Sequence, residues 1–77
     1  MVKMIRRIED ITMSCTRTGK DFAKVMFEKD IDIYFVWDIE FLKDLRLGDL
    51  VNVVYMEKNG FKTIKIIKKV NENDGNN

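Results

Sequence analysis

Reactive chemistry in a protein starts from a nucleophile or base whose proton can be moved, and this sequence offers few. It has one cysteine, Cys15, and no histidine. A thiol without an imidazole or cationic neighbour is poorly activated, and the alternation of Ile11, Met13 and Cys15 places it on the apolar side of a strand. We therefore expect a buried, structural cysteine. Any general base would have to be a carboxylate or lysine with a shifted pKa, and a small domain has little interior in which to shift one. TGKD at 18–21 resembles the end of a phosphate-binding loop, but Ser14 stands where that loop has its first glycine and Asp21 where it has a magnesium-binding hydroxyl. One thiol and no imidazole argue against structural zinc, and the acidic residues show no repeated ligand spacing. The expectation is a protein that is not an enzyme and carries no metal or other cofactor.

What remains is aromatic. The stretch YFVWDIEFLKDL, 34–45, carries the chain's only tryptophan, Trp37, on the same strand parity as Phe35 and Ile33. Phe22 shares a parity with Lys24 and Met26, and the charge on Lys24 marks that side as the outer one. Rings on an outer face can stack on nucleobases or cover a protein partner. Trp37 could instead turn inward onto Phe41, as tryptophan is usually well buried.

Those rings must be positioned by a chain of 77 residues, enough for one domain that buries only about 60% of its unfolded surface. Alternation predicts strands over 3–16, with a phase change near IED that a bulge would explain, over 22–28 and over 31–37. RTGKD makes the first turn, with Gly19 available for a positive φ. Asp38 can cap a two-turn helix in IEFLKDLR, with Phe41, Leu42 and Leu45 on one face and Gly48 ending it. LVNVVYM and FKTIKIIKK, joined through Asn59-Gly60, read as a fourth and fifth strand. Three strands, a helix and two strands is the order of an all-β, five-stranded Greek-key OB-fold barrel with one short α-helix between strands three and four. An SH3-like barrel is the rival.

The domain is expected to span 1–70, followed by a disordered polar tail, NENDGNN, at 71–77. Net charge is +1, but the tail holds two of the 13 acidic residues, which leaves 14 basic groups against 11 acidic ones in the domain. A mildly basic balance permits nucleic acid without requiring it. No apolar run reaches membrane-spanning length and the N-terminus lacks a signal pattern, so a cytoplasmic, reducing setting is expected.

YFVWDIEFLKDL resembles the end of strand three in the single-strand-binding domains of replication protein A and its archaeal relatives, where an aromatic residue followed by an acidic one precedes the helix. TRTGKDFAKVMFEKD resembles the first hairpin of that family and LRLGDLVNVVY its entry into strand four. The resemblance implies a second stacking ring on the last hairpin, which falls on Phe61. It also implies sequence-independent binding of single-stranded DNA in replication, recombination or repair. The stacking set is then Trp37, Phe61, Phe35 and Phe22, and the phosphate contacts are Arg17, Lys20, Lys24, Lys58, Lys62 and Lys65. The partners are single-stranded DNA or RNA, further copies of the chain, or a larger replication or recombination protein. An RNA-binding domain of the translation-factor kind and a protein-interaction domain are the alternatives.

Overall fold

β1 (Val2–Cys15) is long enough to serve two partners. Its first half runs antiparallel to β4 (Leu50–Lys58), from Val2 against Tyr55 to Arg7 against Leu50. Its second half runs antiparallel to β2 (Asp21–Phe27), from Ile8 against Phe27 to Cys15 against Asp21. The change of partner coincides with a bulge between Ile8 and Asp10, where the apolar phase of the sequence shifts and Glu9 is the extra residue that bends the strand. β2 pairs antiparallel with β3 (Tyr34–Val36). β3 pairs in parallel with β5 (Phe61–Lys69) through Tyr34 against Lys62 and Phe35 against Thr63, and β5 returns antiparallel to β4. The pairings close on themselves in the order β1-β2-β3-β5-β4, a closed barrel whose final seam is those two parallel pairs. This computed structural model describes residues 1–70; the tail expected at 71–77 lies outside the described residues.

The turns follow from their residues. In the β1–β2 connection Gly19 has φ of +89°, and the Thr16 hydroxyl accepts from the Lys20 amide at 3.0 Å. Asn59 and Gly60, with φ of 54° and 82°, join β4 to β5. Positive φ at both central residues matches the right-handed twist of the strands they connect.

Inward residues of all five strands meet in one core, with Val25, Phe27, Val36 and Val51 fully buried. Leu42 closes over it, supported by the partly buried Ile39 and Leu45. These three come from the segment after β3, where the expected two-turn α-helix over 39–46 is corrected. The chain forms a single 3-10 turn, Ile39–Leu42, capped by Asp38 as anticipated, its side chain accepting from the Glu40 amide. The bonds Phe41 to Asp38, Lys43 to Glu40 and Leu45 to Leu42 all span three residues. Spacing three also separates Ile39, Leu42 and Leu45, so a three-residue turn aligns them on the core. Phe41, assigned to the buried face, is exposed. So short a segment has no helical stability of its own, and tertiary packing decides its form.

Other expectations are corrected too. The all-β Greek-key OB-fold barrel with an α-helix gives way to a mixed five-stranded sheet, closed by a parallel pair and carrying one 3-10 turn; a Greek key is a set of antiparallel strands. The third strand covers 34–36 rather than 31–37. Lys29 at φ of 63° and an Asp30 carboxylate accepting from the Asp32 amide at 2.9 Å hold 29–32 in a loop. Cys15 is exposed rather than buried. β1 outruns the core at this end, where Met13 is also exposed.

Phe27 is wholly buried and meets the Tyr34 ring edge-on at 5.1 Å. Phe27→Ala should cost about 3–5 kcal/mol, a large share of a small domain's stability. Urea unfolding followed by circular dichroism measures it; a cost under about 1 kcal/mol would show that this end of the core is loosely packed.

Candidate functional site: an aromatic strip

The pleat that sends Tyr34 and Val36 into the core sends Phe35 outward between them. Phe22 is on the outer side of β2, of opposite parity to the buried Ala23, Val25 and Phe27. Trp37 follows β3 directly and Phe61 opens β5. The four rings form a row: Trp37 to Phe22 at 4.8 Å, Phe22 to Phe35 at 6.1 Å, and Phe35 to Phe61 at 5.8 Å. They line an open groove of about 490 Å³ together with Cys15, Thr16 and Thr63. Trp37 is 41% and Phe61 60% exposed, while Phe22 and Phe35 between them are partly buried. The sequence brought out the rings; Thr63 was legible too, sharing the parity of Phe61, but a threonine gives no cue of its own.

The expected basic residues divide. The Lys20 ammonium lies over the Trp37 ring, 5.6 Å from its centroid, a cation–π arrangement. Lys24 is the pairing partner of Phe35 and Lys58 that of Phe61, and Arg17 is exposed in the first turn. Lys62 goes elsewhere. Adjacent to Phe61 on β5, it has the opposite parity, forms an ion pair with Asp32 and lies over the rings of Tyr34 and Tyr55 at 5.5 and 5.6 Å. The Asp32 carboxylate raises its pKa against partial desolvation. Lys65 falls at the bulge where the β4–β5 register shifts and does not line the groove.

Carboxylates stand at both ends of the row. Asp38 follows Trp37 in the chain and Asp21 precedes Phe22, while Asp32 and Glu57 border the surface around Phe61 and Ile33. The expected binding of single-stranded DNA, or of RNA, rested on a Greek-key OB-fold that is not the fold found, and the aromatic row does not by itself establish it. Among the described residues no carboxylate, lysine or cluster of metal-ligating groups lines the groove itself.

A clasp holds the loop beside the Phe61 end. The Tyr34 hydroxyl donates to Asp30 at 2.6 Å, next to the Lys62–Asp32 pair, and between these carboxylates Ile31 is left 94% exposed. Burial pushes the Asp30 carboxyl up, but the bonds from Tyr34 and the Asp32 amide, with the charges of Lys62 and Arg6, bring it below its ordinary value. Burial, then the bond to Asp30, push the Tyr34 phenol up.

Two measurements check this geometry. A carboxyl depressed in the folded state contributes stability above its unfolded value, about 4, and loses it as pH falls through the folded one. Below about pH 4 the native chain should therefore lose stability more steeply than Tyr34→Phe, read as urea midpoints; equal slopes would remove the Tyr34–Asp30 bond as the cause. In a double-mutant cycle, Phe22→Leu and Trp37→Leu should couple by about 0.5–1.5 kcal/mol, and independent effects would mean the rings are not packed together in solution. Comparison with protein families, with curated proteins and with solved structures finds no match for the chain. The resemblance to the replication protein A domains, and with it the assignment to DNA replication and repair, is accordingly withdrawn.

Proposed function

We propose that the chain is a non-catalytic docking module that seats a protein surface on the strip formed by Trp37, Phe22, Phe35 and Phe61. The observation that carries this reading is the unbroken row of rings on the outer face. Proteins that act alone seldom leave contiguous apolar patches exposed, and such patches mark interaction sites. Aromatic anchors lose little conformational entropy when covered and dominate the energetics of many interfaces. Ile33, 45% exposed, continues the apolar surface beyond Phe35 and Phe61. Mixed charge at the two ends suits a protein partner, which can offer both signs, better than a phosphate chain, which offers one.

An anilinonaphthalene sulfonate dye and an oligothymidine, each added to about 1 μM full-length protein, test the reading. The dye should brighten on the native chain and respond several-fold less to Phe35→Asp, whose outward position leaves the fold intact by circular dichroism. Oligothymidine should leave Trp37 fluorescence without a saturable change. Dye binding that ignores Phe35→Asp would overturn the proposal, as would saturable quenching by oligothymidine that weakens steeply with salt.

A further inference from the structure

We propose that the partner seated on the strip is an acidic protein segment, short and extended, that carries apolar side chains together with carboxylates. This rests on the docking reading and states the chemistry of its partner. The charges that share the face of the strip are positive. Residues directly opposite each other on antiparallel strands point to the same side of the sheet, so Lys24, opposite Phe35, and Lys58, opposite Phe61, stand beside two of the rings. Lys20 lies over a third, Trp37. Lys24 on β2 and Lys58 on β4 flank the β3–β5 seam from opposite sides, and among the described residues none of the three lysines has a carboxylate within ion-pair distance.

The carboxylates near the row are engaged or belong to another face. Asp38 accepts from the Glu40 amide, Asp32 is held by Lys62, Glu57 pairs with Lys62 on the other side of β5, and Asp21 has the parity of the buried Ala23 rather than that of Phe22. A carboxylate brought to the strip therefore meets ammonium groups that have no partner of their own, and such complementarity selects an acidic occupant over a basic one. The groove between the lysines is lined by no charged residue, so it takes the uncharged side chains of the same segment. The closed order of pairings gives every strand two hydrogen-bonded neighbours, so side chains rather than a free strand edge carry the association. A strip one ring wide offers less than the ~800 Å² per partner of a standard interface, which suits a single extended segment and weak binding.

Trp37 fluorescence of the full chain, titrated with synthetic peptides of alternating Glu–Leu, Gln–Leu and Lys–Leu sequence, tests this. The Glu–Leu peptide should give a saturable change with a Kd of about 10–100 μM, and the Gln–Leu peptide should bind about tenfold more weakly. The Lys–Leu peptide should bind more weakly still. Lys24→Glu and, independently, Lys58→Glu, each checked for folding by circular dichroism, should weaken the Glu–Leu peptide about two- to fivefold and strengthen the Lys–Leu peptide. Damage to the fold cannot produce that exchange. The absence of saturation by the Glu–Leu peptide at about 1 mM overturns the proposal, as do equal affinities for the Glu–Leu and Gln–Leu peptides, or lysine reversals that change neither affinity. Oligothymidine that displaces the Glu–Leu peptide would also overturn it, and would make the occupant a nucleic acid. If the acidic peptide fails while the dye still depends on Phe35, only the chemistry of the partner falls; if the dye is indifferent to Phe35→Asp, the docking surface falls with it.

Discussion

The structure depends on Tyr34. It is the first of only three residues in β3, the strand that joins β2 to β5. Its backbone pairs with Val25 on one side and Lys62 on the other. Its ring meets Phe27 and Tyr55 edge-on at 5.1 and 5.0 Å, and its hydroxyl reaches out to Asp30. A phenol suits this place because one end must be apolar and the other must satisfy a carboxylate at the rim. No buried side-chain polar atom among the described residues is left without a partner, and Tyr34 is where the core comes closest to needing one.

The same three residues tie the strip to the core. Alternation along β3 means that any side chain moved inward by one position would carry a ring of the strip with it. Tyr34 and Val36 are anchored by burial, so Phe35 between them has a fixed height and direction, and Trp37 inherits its position from the step that follows. A contact surface built on a strand in this way needs no loop to order itself before it can be used, and its entropic cost of association is correspondingly small.

Much of this was written locally. Period-two alternation revealed the strands, Gly19 and Asn59-Gly60 their turns, and the parity of Phe22, Phe35 and Trp37 their shared outer face. Other features leave no local trace. Nothing near Tyr34 indicates that Lys62, nearly thirty residues on, runs parallel beside it. The 3-10 turn was present as the spacing of Ile39, Leu42 and Leu45, but Phe41, the larger apolar residue, drew the helical face to itself. Alternation could not show that β1 outruns the core, which is why Cys15 seemed buried. Lys62, expected at the phosphates, follows Phe61 in the chain but falls on the other side of β5, where Asp32 holds it.

The closed order of the strands also ties early segments of the chain to late ones. β1 precedes the other four strands in the chain, yet its leading half, Val2–Arg7, has its partner in β4, and the parallel seam needs β5. Only the trailing half of β1 finds its neighbour early, in β2. Trp37, Phe22 and Phe35 are therefore held by strands whose full set of neighbours requires β5. Phe61 belongs to β5, so the strand that closes the sheet is also the one that completes the row of rings.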